Sequence, residues 1–121
     1  DTHNIAILVP FKSKVNYYYE LIQKNNILCS KYESDDESIT VIENIHITTF
    51  KSAKGTEFDT VIIPDFEEML LNITRIDVVK ENDYFVAFTR ARRNLYLISN
   101  NDLSFMNFSN EMKSTFQKVI L

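Results

Sequence analysis

Glycine is nearly missing from this chain of 121 residues, which contains one, at Gly55. A phosphate-binding P-loop needs two glycines in the pattern G-x-x-x-x-G-K-[ST], and a dinucleotide-binding fingerprint needs three. Neither motif can be present in this sequence. The chain therefore cannot cradle a triphosphate by that route alone.

Cysteine is equally scarce, because Cys29 stands alone and cannot form an internal disulfide. We expect a buried, inert thiol in a reducing cytosol. No apolar run approaches the roughly 20 residues that cross a bilayer, and no basic region followed by an apolar stretch marks a signal peptide. These absences predict a cytoplasmic location and no membrane partner. Because the chain opens at Asp1 rather than Met, we expect a piece of a longer protein.

An excess of positive charge is also lacking, because the formal net charge is −4. Proteins that bind nucleic acid through bulk electrostatics are usually strongly basic, so tight autonomous binding is disfavoured, while a local basic strip is still allowed. Hydrophobic residues make up 45% of the chain and charged residues 25%, which is ordinary for a globular protein. The length fits one domain, which we expect to cover residues 1–121.

Short apolar runs alternate with segments of helical spacing. Residues 5–9 form an apolar run that closes at Pro10 and predicts a buried strand. Residues 12–26 repeat apolar side chains at helical spacing, with Ser13 as a candidate N-cap. The remaining patterns predict strands at 39–42, 45–50, 60–63 and 95–98, helices at 66–71, 77–93 and 111–120, and a solvated acidic loop at 30–38.

This alternation predicts an α/β fold, a mainly parallel sheet with helices on both faces. Ligands in such sheets bind at the carboxyl ends of the strands. The dipeptides Pro10-Phe11, Phe50-Lys51 and Pro64-Asp65 are predicted to lie at these ends.

The lone glycine lies in the segment TFKSAKGTEF, residues 49–58, directly after a predicted strand. We expect residues 51–57 to form a turn into the start of a helix, where glycine allows a positive φ and free N–H groups suit an anion. Hydroxyl donors and positive charge are added by Thr49, Ser52, Lys51 and Lys54. A plain turn with a solvated basic rim explains the same residues and is the alternative.

A second cluster is YFVAFTRARR, residues 84–93, in which three arginines follow an apolar helical face. Positive charge in the last turn of a helix interacts favourably with the helix dipole, and this explains Arg92 and Arg93. Arg90 lies one helical turn from Val86 and Ala87, so it is a candidate to face a partner surface.

Both clusters resemble motifs of a known family. The pattern T-x-x-S-A-K-G-x-E-F at 49–58 resembles motif V of UvrD/Rep-like superfamily 1 DNA helicases. The pattern V-A-x-T-R-A-R at 86–92, followed by L-Y-L at 95–97, resembles their motif VI. The resemblance extends from residue 5 to residue 98. It implies the second RecA-like motor domain of an ATP-dependent DNA helicase, with a P-loop NTPase-like fold that lacks the P-loop itself.

The resemblance further implies a nucleotide site shared with the N-terminal RecA-like domain of the same parent chain. Arg90 would be the arginine finger that reaches the γ-phosphate of ATP, and Glu57 would accept hydrogen bonds from the ribose. Gly55 would let the backbone approach the nucleotide, and Lys54 would sense phosphate or order the loop. The ligands of the Mg²⁺ that accompanies ATP would lie outside this chain, and no metal site is expected within it.

Contacts with single-stranded DNA, and a place in DNA repair, are implied as well. Thr49 and Ser52 would hydrogen-bond the DNA backbone, a contact that positions the strand without reading its sequence. Lys51 stands where the family usually has His, so it would contact phosphate without offering a ring. Thr56 replaces the usual Leu and Phe85 the usual Tyr, and both departures affect the details of DNA contact.

Other functions compete with this interpretation. A non-catalytic nucleic-acid or nucleotide binding module that retained the fold would fit the acidic balance and Lys51. A receiver-like signalling domain is disfavoured, because it requires acidic residues at the end of the first strand, where Val9-Pro10-Phe11 stands. His3 and His46 lack metal-ligand spacing. The three tyrosines at residues 17–19 are expected to lie on a helix, between its core-facing side and its solvent-facing rim, with one tyrosine able to face DNA.

Overall fold

A computed structural model of the protein describes residues 5–31, 45–53, 55–66 and 86–99. Over these residues the chain forms a five-stranded sheet in the order β2-β3-β1-β4-β5, and every neighbouring pair is parallel. The elements are β1 (Ile5–Val9), α1 (Lys12–Lys24), β2 (Ser30–Lys31), β3 (Ile45–Thr49), β4 (Phe58–Ile63) and β5 (Ala91–Leu97). The predicted α/β fold with a parallel sheet is confirmed.

Strand β1 lies at the centre of the sheet because its apolar run can be buried on both faces. Ile5 pairs with Ile45 of β3 on one side and with Thr60 of β4 on the other. The rest of the strand is buried, and its residues form the core together with the apolar residues of β3 and β4. The predicted strands at 5–9, 45–50 and 60–63 are confirmed.

Helix α1 begins without the predicted cap. Phe11 occupies the N-cap position in an extended conformation, with φ −131 and ψ 150, and makes no side-chain cap hydrogen bond. Ser13 lies inside the first turn, so its assignment as N-cap is wrong. The helix starts two residues earlier than that assignment required, because the Phe11 carbonyl already accepts from the amides of Lys14 and Val15.

Helix α1 is terminated by an asparagine in a left-handed conformation. Asn26 has a φ of 61, in the left-handed region that Asn tolerates better than most residues. The Asn26 amide donates to the Gln23 carbonyl at 2.9 Å and the Ile27 amide to the Ile22 carbonyl at 3.3 Å. These two bonds form a Schellman motif, which satisfies carbonyls that the helix end leaves open. The helix therefore stops at Lys24 rather than at residue 26.

Strand β2 occupies the start of the predicted acidic loop. Ser30 and Lys31 pair with His46 and Ile47, so the loop expected at 30–38 begins with a strand. The Ser30 hydroxyl lies 2.8 Å from Nδ1 of His46, which is buried, and burial lowers the pKa of this imidazole. His46 is therefore a packed histidine. Residues 32–38 and the predicted strand at 39–42 lie outside the described residues.

Helix α1 packs on the β2-β3-β1 side of the sheet. Val15 and Tyr18 form its buried face, and Cys29 is buried after its end. Burial raises the pKa of the Cys29 thiol, so the predicted buried thiol is confirmed. Within the described part of the chain, no helix is long and apolar enough to cross a bilayer.

The end of the longest predicted helix, at residues 77–93, is a strand in the structure. Helical residues extend over 86–88, and the chain then turns and enters β5 at Ala91. Arg92 and Arg93 therefore lie on a strand, and their assignment to the last turn of a helix is wrong. These residues form a strand instead of a helix because β4 offers unpaired backbone groups along its edge. Pairing with β4 supplies a backbone hydrogen-bond partner to each alternate residue of β5. Residues 77–85 lie outside the described residues, as do 67–71 and 111–120.

Candidate functional site

The turn after β3 is organised by one hydroxyl. The Ser52 amide donates to Oγ1 of Thr49 at 3.1 Å, and Oγ1 of Thr49 also bonds Oγ of Ser52 at 2.9 Å. The Ala53 amide donates to the Thr49 carbonyl at 3.1 Å. Thr49 is only 6% exposed, Ser52 is half-buried and Lys51 is exposed. Thr49 therefore determines the conformation of the turn, while the side chains of Lys51 and Ser52 are accessible to solvent.

This turn does not lead into a helix. The Thr56 amide donates to the Ala53 carbonyl at 3.0 Å, and the chain then enters β4 at Phe58. The expected helical start at 51–57 is wrong, because Phe58 is buried in the ladder beside β5. Donors for an anion can thus come from the backbone of the turn itself and not from a helix end. Lys54 lies outside the described residues.

Gly55 adopts the positive φ that its sequence position predicts. Its φ is 81, and a Cβ added there would meet nothing within 4 Å. Other residues rarely adopt this conformation, so the backbone and not the lack of space requires glycine here. Gly55 and the two residues after it are exposed, which leaves this stretch of backbone accessible from outside.

Arg90 is held where β4 and β5 begin. Its carbonyl accepts the Phe58 amide at 2.7 Å, and its own amide donates to the Ala87 carbonyl at 3.1 Å. Nε of Arg90 donates to the Val86 carbonyl and Nη2 to the Thr89 hydroxyl, both at 3.2 Å. Among the described residues no carboxylate lies within ion-pair distance of this guanidinium. The side chain is half-buried and oriented, and its positive charge is not neutralised by a described neighbour.

Glu57 lies beside Arg90. It precedes Phe58, whose amide is bonded to the Arg90 carbonyl, and its side chain is exposed. Because β4 and β5 are parallel, both residues lie at the amino ends of their strands, and we call this pair the amino edge. The structure therefore brings the predicted ribose contact and the predicted finger together.

The predicted DNA contacts lie at the other end of the sheet. Thr49 closes β3 and pairs with Val9, the last residue of β1, so Lys51 and Ser52 emerge at the carboxyl ends of these strands. We call this region the carboxyl edge, comprising Thr49, Lys51 and Ser52. Glu57 and Arg90 lie instead at the amino ends of β4 and β5, away from the carboxyl ends at which ligands of parallel sheets usually bind. Residues 50–57 connect the two edges directly.

A salt bridge beside Arg90 was not anticipated from the sequence. Nη2 of Arg92 lies 2.9 Å from Oδ1 of Asp59, and the two side chains are 41% and 14% exposed. The pairing shifts here, because Phe58 is opposite Ala91 whereas Thr60 is opposite Asn94. This irregularity places an extra residue on β5, as in a β-bulge. The feature of the sequence that could have indicated this salt bridge is the acidic residue Asp59 within the mainly apolar strand β4.

Asp65 links the end of β4 to helix α1. It follows β4 at the carboxyl ends, as predicted, and has a φ of 51. Its carboxylate accepts a hydrogen bond from the Tyr18 hydroxyl, which ties α1 to the end of β4. Within the described residues, no three His, Cys, Asp or Glu side chains are grouped so that they could hold a metal ion.

The described residues form a parallel five-stranded sheet with a helix packed against it, an α/β architecture consistent with a RecA-like domain. A family model of the UvrD-like helicase C-terminal domain matches residues 3–102. The chain therefore belongs to the family of UvrD-like helicase C-terminal domains.

Two comparisons agree with this family. The chain is 34% identical over 74 residues to RecBCD enzyme subunit RecB of Chlamydia pneumoniae, a match that covers 61% of this chain and 6% of that protein. Its fold is similar to the C-terminal domain of a possible DNA helicase from Lactobacillus plantarum, with a TM-score of 0.61 and 15% identity. That likeness covers 79% of this chain and 55% of the other, and at this identity it concerns the fold alone.

Proposed function

We propose that this chain is the second motor domain of an ATP-dependent DNA helicase or translocase. In this proposal its amino edge completes an ATP site held by the N-terminal RecA-like domain of the same parent chain, and its carboxyl edge contacts single-stranded DNA. The observation that carries the proposal is the position of Arg90: its guanidinium is oriented by Val86 and Thr89, and its backbone is bonded to Phe58, the residue after the exposed Glu57. A cytoplasmic enzyme of DNA repair is the setting that the proposal implies.

Arg90 is the proposed arginine finger. A planar guanidinium suits the equatorial oxygens of a transferring phosphoryl group, on which negative charge is spread in the transition state. The Val86 carbonyl and the Thr89 hydroxyl each engage a donor of this side chain, so its direction is set before a nucleotide arrives. Preorganised donors stabilise the transition state without a reorganisation cost at the moment of reaction. The Mg²⁺ on ATP would be held by the N-terminal domain and would neutralise phosphate charge there.

Glu57 is the proposed ribose contact. Its exposed carboxylate can accept hydrogen bonds from both ribose hydroxyls, since an ionised carboxylate is an acceptor with several lone-pair sites. The open backbone at Gly55 leaves room for a nucleotide to approach the same stretch. Lys54 is proposed to sense phosphate or to order this loop.

At the carboxyl edge, Lys51 and Ser52 are the proposed contacts to the DNA backbone. The Thr49 hydroxyl is already bonded to Ser52 within the turn. We therefore propose that Thr49 orients Ser52 for DNA binding, in addition to any contact that Thr49 itself makes with DNA. Such contacts neutralise and position phosphates and do not read sequence. Because residues 50–57 connect Thr49 to Glu57, movement of the turn on DNA is passed to the amino edge. This connection is a physical route by which nucleotide turnover and stepping are coupled.

The test is the ATPase activity of the full-length parent carrying Arg90→Ala. We expect kcat to fall by about three to five orders of magnitude while the dissociation constant for ATP changes little, because the finger acts in the transition state. Arg93→Ala is the matched control, since Arg93 is an exposed arginine three residues away. Near-normal turnover in Arg90→Ala would overturn the assignment. The 121-residue chain alone is expected to hydrolyse no ATP.

A non-catalytic binding module with the same fold is the second candidate. It is favoured by Lys51 and Phe85, which replace the usual His and Tyr, and by the net charge of −4. The parent gene distinguishes the two candidates. An upstream P-loop and acidic Mg²⁺ motif support the motor, and their absence supports the binding module.

A further inference from the structure

We propose that single-stranded DNA continues from the carboxyl edge onto the first two turns of α1. Lys12 and Lys14 contact its phosphates there, and the ring of Tyr17 stacks on a base. The inference rests on the proposed function and extends its DNA path to a helix outside motifs V and VI.

The two surfaces begin at neighbouring strand ends. Val9 and Thr49 are direct partners in the sheet, and the Phe50 amide donates to the Val9 carbonyl at 2.9 Å. Neighbouring strands are roughly 4.8 Å apart. The chain that leaves β3 reaches Lys51 two residues later, and the chain that leaves β1 reaches Lys12 three residues later. A strand of DNA held at Lys51 therefore lies next to the start of α1.

Among the described residues at this end of the sheet, the exposed charges are positive. Lys12 and Lys51 are exposed, and no acidic residue stands in the first turn of α1. The helix has one acidic residue, Glu20, which lies more than two turns from its start. At the end of β4, the half-buried Asp65 accepts a hydrogen bond from the Tyr18 hydroxyl and is thus engaged by α1. Over the part of the chain that the structure describes, this end of the sheet therefore presents a local cationic strip within a chain of net charge −4, as phosphate binding requires.

Tyr17 is an exposed ring that its neighbours hold in place. It is 57% exposed, and it meets the buried Tyr18 edge to face, with 5.0 Å between ring centroids and 87° between ring planes. Nζ of Lys14 lies 5.8 Å from the centre of the Tyr17 ring. An ordered aromatic surface beside lysines is the arrangement on which proteins stack single-stranded bases. Tyr19 differs, because it is half-buried and lies under Nζ of Lys31 at 4.7 Å.

Stacking is tested with tryptophan fluorescence. The chain contains no tryptophan, so a single introduced tryptophan reports on its own position. Tyr17→Trp places one tryptophan on α1, and Tyr96→Trp places one on β5 at a tyrosine of similar exposure, 54%. Oligo-dT is then titrated into each variant of the full-length parent, in which Trp residues outside this chain are replaced by Phe. We expect emission at position 17 to be quenched on binding and emission at position 96 to stay unchanged. Equal responses at the two positions would contradict the inference.

Affinity gives an independent measurement. Binding of labelled oligo-dT, followed by fluorescence anisotropy, is expected to weaken about fivefold or more in Tyr17→Leu, and to change less than about twofold in Tyr17→Phe and Tyr96→Leu. Lys12→Gln and Lys14→Gln should each reduce the slope of log K against log salt by about 0.7, the value for one phosphate contact on a single strand. Lys24→Gln, in the last turn of the same helix, should leave the slope unchanged.

The outcomes separate this inference from the proposed function. If Lys51→Gln weakens DNA binding while the Tyr17, Lys12 and Lys14 variants bind normally, the path over α1 is wrong and the motor proposal stands. If the wild-type parent binds no oligo-dT at low salt, the proposed DNA contact itself is wrong. Circular dichroism and the Tm of each variant establish that the fold is retained.

Discussion

The amide of Phe58 donates a hydrogen bond to the carbonyl of Arg90 over 2.7 Å, which joins the first residue of β4 to the residue before β5. This bond fixes the backbone of Arg90 next to Glu57. The proposed ribose contact and the proposed finger are thus positioned by one backbone interaction, although they are 33 positions apart in the sequence. The geometry of the amino edge depends on the register of these two strands.

The salt bridge between Asp59 and Arg92 stabilises that register weakly. Because Arg92 is 41% exposed, solvent screens much of the attraction. We expect a double-mutant cycle with Asp59→Asn and Arg92→Gln to give a coupling free energy of about 0.2–1 kcal/mol in urea unfolding. Arg93→Gln, on the same strand, should show no coupling to Asp59→Asn. A coupling well above this range would mean that the pair is more deeply desolvated than the structure indicates.

Two adjacent threonines on β3 should respond oppositely to valine. Thr48 is 2% exposed and its hydroxyl has no hydrogen-bond partner among the described residues, whereas the Thr49 hydroxyl bonds Ser52 twice. Thr48→Val should leave the free energy of unfolding unchanged or raise it by about 1 kcal/mol, and Thr49→Val should lower it by about 1–2 kcal/mol. Chemical denaturation of both variants measures the difference. Equal losses would show that Thr48 has a partner.

Gly55 should tolerate Asn better than Ala. There is open space for a Cβ, so the cost of substitution comes from the φ of 81 and not from a clash. Gly55→Ala should lower the free energy of unfolding by about 1–2 kcal/mol, and Gly55→Asn by less, because Asn enters the left-handed region more readily. If Ala and Asn destabilise the chain equally, conformational strain is not the cause.

The buried His46 predicts a pH dependence of stability. Burial lowers the pKa of the folded imidazole below its ordinary value of 6.5. As the pH falls through 6.5, the unfolded chain therefore takes up the proton first, and the free energy of unfolding decreases until the folded histidine also protonates. Above 6.5 the contribution is fully present. Urea unfolding from about pH 7.5 to 5.5 should show a smaller decrease in His46→Gln, and an unchanged decrease would refute the role of His46.

Much of the sheet could be predicted from the sequence because β1 and the second half of β4 are apolar runs closed by proline, and β3 is rich in β-branched residues. β5 could not be bounded in the same way. The apolar spacing from Tyr84 to Ala91 is helical, and only pairing with β4 draws Ala91 into a strand. β2 has two residues and carries no pattern of its own, so its existence depends on β3.

The candidate site was partly accessible to the same reasoning. The positive φ of Gly55 follows from residue type and position, whereas the roles proposed for Arg90 and Glu57 follow from the resemblance to motifs V and VI. Their juxtaposition does not, because it is set by the long-range register of β4 against β5. The placement of Lys51 and Glu57 at opposite ends of the sheet was missed for a related reason. The turn was expected to start a helix, whereas the chain crosses directly to the next strand.

The central claim is that the two edges have separate functions, nucleotide turnover at Arg90 and DNA contact at Lys51 and Ser52. Its most direct test is to measure ATPase activity and oligo-dT affinity together in the full-length parent carrying either Arg90→Ala or the pair Lys51→Gln and Ser52→Ala. We predict that Arg90→Ala abolishes hydrolysis in the absence and presence of DNA yet binds oligo-dT normally, and that the pair loses DNA affinity yet retains its DNA-independent hydrolysis. Loss of DNA affinity in Arg90→Ala, together with normal ATP turnover, would contradict the account.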